Sequence, residues 1–340
     1  MKSLRVAVNG LGRIGRAFIR ATHGDSRITI VAVNDLGSVE NLAYLLKYDT
    51  VYGVAPFSVS AEKGGLEIDG TLVKVFSEKD PGKLPWKKLG IDVVVESTGI
   101  FDSYEKAQPH IKAGAKRVVI TAPSKDETGG ATILMGVNEE KFATCHISSN
   151  GSCTTNAGSP LIAILDEAIG IERAVLSTTH AMTNSQPSVD SPNKHNMREG
   201  RAASHNIVPT STGAAIAVTK AITSLEDKFD GISLRVPVIA GSIVDVTFVA
   251  KKPTSVEEVN AALTAAAHEE RWQKVFSVSN EPLVSTDIIG AKQASIADLG
   301  MTRVVDGTLV KVLAWYDNEM GYTHALIEHV VAAGALIQRE

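Results

Sequence analysis

A short apolar run, Leu4–Val8, passes through Asn9 into Gly10-Leu11-Gly12-Arg13-Ile14-Gly15; an amphipathic stretch, Arg13–Ala21, and a second apolar run, Ile28–Val33, follow. This order predicts strand, tight turn, helix, strand. A lone G-x-G-x-x-G spacing is weak, but between a strand and a helix, with an acidic residue about 20 positions on, it marks a dinucleotide-binding βαβ unit. Asp35 holds that acidic position. Glycines let the backbone turn sharply and approach a pyrophosphate, whose charge the free N–H groups of a helix N-terminus favour. Gly10, Gly12 and Asp35 are therefore predicted cofactor residues, with Asp35 accepting bonds from ribose hydroxyls. A carboxylate there repels a 2′-phosphate, and Leu36 beside it supplies no counter-charge, so NAD is expected over NADP.

Further β-like runs lie at Leu72–Phe76, Asp92–Glu96, Arg117–Thr121 and Thr144–Ile147, with helix-like segments such as Ser103–Ala113 between several of them. Alternation of this kind predicts an α/β Rossmann-type domain with a parallel, doubly wound sheet. Segment Val54–Val73 breaks the pattern and reads as a polar hairpin insertion, with turns at Lys63-Gly64-Gly65 and Asp69-Gly70. Beyond residue 152 the rhythm changes. Runs at Ala174–Thr179, Ile232–Pro237, Ser242–Ala250 and Thr308–Tyr316 are longer and less regularly separated, which predicts an α+β domain with a mixed or antiparallel sheet. Ser242–Ala250 alternates in a way that gives it one polar face. The polar stretch Thr183–His205 has no clear period, and structureless loops of that length are usually functional or held by a partner. Met320–Ile337 resembles a closing amphipathic helix. The expected division is 1–152 for cofactor binding, 153–317 for catalysis, and 318–340 as a C-terminal helix packing back on the first domain.

The chemistry centres on Cys153, in Ser152-Cys153-Thr154-Thr155-Asn156, and on His180, 27 residues later. Taken alone, a solitary cysteine is more often a small buried hydrophobe. Here it lies among hydroxyls just before a helix-like run, and a helix N-terminus and a nearby imidazole both lower a thiol pKa. Pro160 leaves two placements open, a helix that begins near Cys153 and bends, or one that begins nearer the proline. With a nicotinamide cofactor at hand, such a pair has a definite use. A thiolate converts an aldehyde into a thiohemiacetal, hydride transfer leaves a thioester, and His180 removes the hydroxyl proton.

Other readings are restricted by composition. A net charge of −4 offers no basic field for nucleic-acid phosphates, and no apolar run approaches the ~18 residues of a membrane helix, so neither nucleic acid nor membrane is an expected partner. Cys145 and Cys153 are the only cysteines, too few for a disulfide framework, and with no leader-like segment the chain is expected in the cytoplasm. His146, His195 and His205 lack ligand spacing, so no metal site is expected.

The chain resembles the phosphorylating glyceraldehyde-3-phosphate dehydrogenase family over essentially its whole length. The resemblance rests on Asn9-Gly10-Leu11-Gly12-Arg13-Ile14-Gly15-Arg16, Glu96-Ser97-Thr98-Gly99, Ser152-Cys153-Thr154-Thr155-Asn156, Pro209-Thr210-Ser211-Thr212-Gly213-Ala214-Ala215, Arg235-Val236-Pro237 and Trp315-Tyr316-Asp317-Asn318-Glu319. It implies that Cys153 is the nucleophile and His180 its base. It implies further that Ser152, Thr154, Arg198, Thr212 and Gly213 surround an inorganic-phosphate pocket, and that Thr183 and Arg235 hold the substrate phosphate. Arg13, Ile14, Lys79, Thr121 and Asn318 match cofactor-contacting positions, Asn318 facing the nicotinamide carboxamide. The implied activity is oxidative phosphorylation of D-glyceraldehyde 3-phosphate to 1,3-bisphosphoglycerate, in central carbon metabolism, by a homotetramer whose subunits meet at Thr183–His205.

The chain departs from the family's pattern at several places. Ser185 stands where many members have Asp or Thr, Lys79 where Arg is common, Gly151 where Ala is common, and Ala157 where many have a second cysteine. Ser191-Pro192 replaces a frequent Leu-Pro, which blurs the NAD preference slightly. Two rival functions stay open. One is the related erythrose-4-phosphate dehydrogenase, which usually departs from the Ser211–Ala215 motif intact here. The other is a non-catalytic NAD-binding redox sensor that uses Cys153 only as an oxidisable thiol.

Overall fold

A computed structural model describes residues 3–194 and 196–337, so His195 and the last three residues of the expected C-terminal helix lie outside the described residues. The chain divides into two compact units. One takes the described residues of Met1–Gly151 and Leu326–Glu340, the other Ser152–Ala325.

The first unit begins with β1 (Leu4–Asn9), α1 (Arg13–Thr22), β2 (Ile28–Asn34) and α2 (Val39–Lys47). A small hairpin, β3 (Tyr48–Asp49) and β4 (Gly53–Val54), precedes β5 (Val59–Glu62), β6 (Gly65–Ile68) and β7 (Thr71–Phe76). The unit continues through α3 (Trp86–Leu89), β8 (Val93–Glu96), α4 (Tyr104–Lys112), β9 (Arg117–Ile120), β10 (Ala131–Thr132) and β11 (Ile147–Ser149). Nine strands form one sheet in the order β10-β11-β9-β8-β1-β2-β7-β6-β5. Pairings from β10 to β7 are parallel, and β7, β6 and β5 finish the edge as antiparallel hairpins turning at Lys63-Gly64 and Asp69-Gly70. The largely parallel sheet and the hairpin insertion agree with the sequence. The strand expected at Thr144–Ile147 is displaced: Glu139–Thr144 is a 3₁₀ turn, and β11 starts only where Ile147 can pair with Val118 of β9.

Strand order reverses beside β1, whose neighbours are β2 on one side and β8 on the other. Crevices at the carboxyl ends of strands at such a point are where open α/β sheets bind ligands. One face of the sheet is sealed by Trp86, Ile91, Tyr104, Ala107 and Ile111 against Ala7, Val94 and Val118.

The second unit opens with α5 (Cys153–Ala168), β12 (Ile171–His180), β13 (Val208–Ser211), α6 (Ala214–Ala221), β14 (Phe229–Arg235) and β15 (Ser242–Ala250). After α7 (Val256–Ala267) come β16 (Phe276–Ser279), β17 (Ser295–Asp298), β18 (Arg303–Val305) and β19 (Leu309–Tyr316); α8 (Met320–Ala335) begins in this unit and from Leu326 belongs to the first. Its sheet runs β13-β14-β12-β15-β19-β17-β16, with β18 on β19, and is mixed as expected. In β15, Val244, Val246 and Phe248 are buried while Asp245 and Thr247 are half-exposed. Helix α5 packs on β12, β15, β17 and β19. The strand predicted at Ile232–Pro237 is shifted to Phe229–Arg235, because Pro237 has no N–H for a ladder and the register on β12 ends where Arg235 meets His180. Among the described residues no helix is long and apolar enough to cross a membrane.

Candidate active site

In the second unit the thiol sits at the first residue of α5. Ser152 Oγ accepts from the Thr155 N–H at 3.0 Å, and Thr155 Oγ1 accepts from the Ser152 N–H at 3.3 Å, a reciprocal capping box that starts the helix at Cys153. Of the two placements left open by Pro160, the structure takes the first, with the proline inside a 16-residue helix. The first N–H groups of the helix, those of Cys153 and Thr154, and the positive end of its dipole therefore lie at the sulfur's own turn.

His180 is the last residue of β12, and its Nε2 lies 3.2 Å from Cys153 Sγ. Parallel pairing of β12 with β14 sets His180 opposite Arg235, which places an Arg235 guanidinium nitrogen 2.6 Å from His180 Nδ1. The same Nδ1 is 2.7 Å from the Ala181 carbonyl oxygen. Burial first, and the Arg235 charge second, hold the imidazole neutral by pushing its pKa down to about 3. Burial also pushes the Cys153 thiol up, against a smaller downward pull from Arg235 and the Thr154 N–H, although the residue as a whole is half-buried. Burial thus opposes the lowering expected from the helix terminus and the imidazole, and is the larger influence on the thiol.

The other predicted phosphate ligands are placed by local bonds. Thr154 Oγ1 pairs with the Tyr316 hydroxyl at 2.9 Å, and Thr183 Oγ1 with Ser185 Oγ at 3.0 Å. Thr212 Oγ1 accepts from the Ala214 N–H at 3.2 Å, and Gly213 is the N-cap of α6. Arg198 is exposed in a 3₁₀ turn whose Asn196 and Glu199 bond Thr210 of β13. Cys153, His180 and Arg235 thus form a bonded group, with Thr183, Arg198 and Thr212 held on separate loops.

In the first unit, the three glycines of the turn divide the work. Gly10 has φ +92°, and a Cβ there would lie 2.7 Å from the Thr98 nitrogen; a Cβ on Gly15 would lie 2.1 Å from the Gly10 carbonyl oxygen. Gly12, the N-cap of α1, differs because a Cβ would meet no protein atom within 4 Å. The chain therefore leaves open space at the helix N-terminus where a pyrophosphate fits. A cleft of about 440 Å³ at the ends of β1, β2 and β8 is lined by Asn9, Gly12, Asp35, Lys79, Thr98 and Phe101, among others. Asp35 is fixed at it by accepting the Leu11 and Gly37 N–H groups at 2.7 and 2.8 Å.

Family models match both units: "Glyceraldehyde 3-phosphate dehydrogenase, NAD binding domain" over residues 4–104, and "Glyceraldehyde 3-phosphate dehydrogenase, C-terminal domain" over 152–318. The chain belongs to the glyceraldehyde-3-phosphate dehydrogenase family. It is 45% identical over 335 residues to glyceraldehyde-3-phosphate dehydrogenase 2 of Streptomyces avermitilis, covering 98% of this chain and 99% of that one. The glyceraldehyde-3-phosphate dehydrogenase of Geobacillus stearothermophilus is 45% identical over 328 residues, covering 96% and 97%. That of Mycobacterium avium is 45% identical over 340 residues, covering 98% and 99%. As a member of the family the protein is an oxidoreductase whose cofactor is NAD.

The remaining predicted cofactor residues are placed unequally. The Arg13 guanidinium is bonded to Asp49 at 2.5 Å and lies over the Tyr52 ring, so what Arg13 and Ile14 offer is their backbone in the first turn of α1. Thr121 follows β9 directly, with its N–H on the Glu96 carbonyl, and does not line the cleft. Asn318, in the second unit, is oriented by accepting from the Gly241 N–H and the Ser242 hydroxyl, both at 3.1 Å.

Sequence reading missed the buried supports. Glu96 accepts from Thr98 N–H, Thr98 Oγ1, Asn9 Nδ2 and His110 Nε2, while His110 Nδ1 accepts from the Trp86 indole at 3.0 Å, which fixes Thr98 at the cleft. Tyr316 similarly joins Thr154 to Thr178 and packs edge-on against His180. Glu96 and Tyr316 both stand in quoted motifs; a polar residue buried in a strand beside a site was the available signal.

Gly12→Ala separates binding from folding. An Ala at φ −70° is unstrained and touches no protein atom, so the melting temperature is expected to move by only about 2 °C. NAD binding is expected to weaken at least ~10-fold, or about 1.4 kcal/mol, by calorimetric titration. Unchanged affinity would show that the pyrophosphate does not lie on Gly12.

Proposed function

We propose that the protein oxidises D-glyceraldehyde 3-phosphate to 1,3-bisphosphoglycerate using NAD and inorganic phosphate. The observation that carries this reading is Cys153 Sγ at 3.2 Å from His180 Nε2 on the first turn of α5. Sulfur attacks the aldehyde carbon as its proton passes through His180 to the carbonyl oxygen, giving a thiohemiacetal and leaving His180 Nε2 free again. His180 Nε2 then takes the hydroxyl proton as the carbonyl reforms, leaving a thioester on Cys153. When bound, NAD supplies the ring that accepts the hydride. A phosphate oxygen next attacks the thioester carbon, the C–S bond breaks, and the thiolate is regenerated. The helix N–H groups favour the oxyanion formed at each attack.

Ser152, Thr154, Arg198, Thr212 and Gly213 are assigned to inorganic phosphate, and Thr183 with Arg235 to the substrate phosphate. Hydroxyls, a free N–H and guanidinium suit phosphate oxygens, which accept several charge-assisted bonds. Gly10, Gly12, Arg13, Ile14 and Lys79 hold the dinucleotide, Asp35 its ribose, and Thr121 and Asn318 complete the set. Asp35 also sets NAD above NADP.

Initial rates of NADH formation test this reading. Expected are higher kcat/KM for glyceraldehyde 3-phosphate than for erythrose 4-phosphate, dependence on phosphate, and preference for NAD over NADP. A preference for the tetrose assigns the related dehydrogenase instead, and no turnover of any aldehyde phosphate favours the redox sensor.

Self-association is also proposed. Val175, Ile232 and Leu309 are exposed along continuous grooves on one face of the second unit's sheet, and apolar patches of that kind mark interaction surfaces. Sedimentation is expected to give a mass near four 36.0 kDa chains; a single-chain mass at micromolar concentration would exclude it.

A further inference from the structure

The segment that carries Arg198 has little structure of its own. Met197–Gly200 is a single 3₁₀ turn, and the hydrogen bonds of that geometry are poor, so such a turn takes its position from what it is tied to. Its ties converge on one hydroxyl. Thr210 Oγ1, on the buried face of β13, accepts from Asn196 Nδ2 at 3.2 Å and donates to Glu199 Oε1 at 2.6 Å. Asn196 is the N-cap of the turn, and its side-chain oxygen accepts from the Arg198 N–H at 3.0 Å. Thr210 therefore grips the chain on both sides of Arg198 and ties it to a strand fixed by its ladder, in which Thr210 lies opposite Ser233 of β14. The same strand runs directly into Thr212 and Gly213.

The two arginines of this segment are treated differently. Arg201 Nε donates to Asp190 at 2.8 Å, whereas the Arg198 guanidinium has no hydrogen-bond or ion-pair partner among the described residues. Its neighbour in sequence, Glu199, carries a carboxylate that could neutralise it, and that carboxylate is committed to Thr210. We propose that Thr210 is a positioning residue for inorganic phosphate: by holding Asn196 and Glu199 it sets where the Arg198 guanidinium stands relative to Thr212 and Gly213, and leaves its charge open to an anion. The inference rests on the reading of Arg198 as an inorganic-phosphate ligand. Arginine gives up much rotamer freedom on binding, so an anchored backbone decides how well it serves. The brace acts on attack of phosphate at the thioester and not on formation of the thioester, because Cys153, His180, Thr183 and Arg235 are held by other bonds.

The test is steady-state NADH formation by the full chain with inorganic phosphate, glyceraldehyde 3-phosphate and NAD varied in turn. Thr210→Val keeps the side chain's size and removes both bonds. Its KM for phosphate is expected to rise at least ~10-fold, as a misplaced charged ligand would cause. KM for the aldehyde and for NAD should stay as in the wild type, and saturating phosphate should restore turnover. Thr210→Ser keeps the hydroxyl and should bring the phosphate KM back. Asn196→Ala opens the brace from the turn's side without touching β13 and should raise the same constant. Equal rises in all three KM values, a Thr210→Ser variant as impaired as Thr210→Val, or a normal phosphate KM in Asn196→Ala would trace the effect to general loss of packing and overturn the proposal. Arg198→Gln separates the inference from the reading beneath it. If that variant raises the phosphate KM and Thr210→Val does not, the positioning role alone falls. If it leaves the phosphate KM unchanged, or if NADH formation does not depend on phosphate, the phosphate assignment of Arg198 falls and the inference with it.

Discussion

Cys153→Ser is expected to lower NADH formation by at least ~10³-fold, since loss of a catalytic nucleophile commonly costs more than that. An alcohol at this position is a far weaker nucleophile near neutrality, and the neighbouring imidazole, held neutral at about 3 by burial and Arg235, is a weak base for it. The substitution leaves the fold's own requirements intact. The Ser152–Thr155 capping box does not use the sulfur, and serine is close to cysteine in size. NAD affinity is expected to be unchanged, because Gly10, Gly12 and Asp35 are arranged by bonds within the other unit. Cys145→Ser is the control: that thiol bonds the Lys141 carbonyl at 3.6 Å in the first unit and should retain full activity. Paired rate and binding measurements decide. A serine variant keeping more than a tenth of the wild-type rate would remove Cys153 from the chemistry.

The glycine turn was readable because its function is written in backbone. Gly10 and Gly15 are needed at positions where a Cβ would collide with Thr98 or with the Gly10 carbonyl, and such demands survive as residue identity. Hairpin turns at Lys63-Gly64 and Asp69-Gly70 were readable for the same local reason. What was not readable depends on partners distant in the chain. β11 starts at Ile147 because β9 offers Val118 there, and β14 is shifted toward Phe229 by its register on β12. That register also decides the site's electrostatics. Nothing local to Arg235 announces that it will lie 2.6 Å from an imidazole 55 residues earlier. The thiol's surroundings divide on the same ground: a helix N-terminus can be seen in a sequence, whereas the desolvation that acts against it is a property of the packed site.

Acid should destabilise the protein well before its carboxylates titrate. His180 and His329 are buried, and burial pushes each imidazole down from 6.5 to about 3. His329, on α8 within the first unit, accepts from the Ser148 hydroxyl at 2.7 Å and donates from Nδ1 to Asn150 Oδ1 at 3.1 Å, an arrangement for a neutral ring. Below pH 6.5 the unfolded chain takes up a proton at each of these positions while the folded protein does not. The unfolded state then binds more protons, so stability rises with pH: the contribution is complete above about 6.5 and is lost as pH falls from there toward 3. Each histidine adds a slope approaching ~1.4 kcal/mol per pH unit in the middle of that window. Asp25 and Asp49 act lower. Hydrogen bonds from Arg27 hold the first below the ordinary carboxylate range; the second is held there by Arg13 and by the Tyr52 and Val51 N–H groups, against its burial. Their stabilising effect fades only below about pH 4, so the interval from pH 6 to 4.5 reports chiefly the two rings. Urea unfolding followed across that interval should show stability falling with acid, and His329→Gln should remove roughly half the slope. A flat profile between pH 7 and 5, or an undiminished slope in His329→Gln, would mean that these rings accept protons in the folded state.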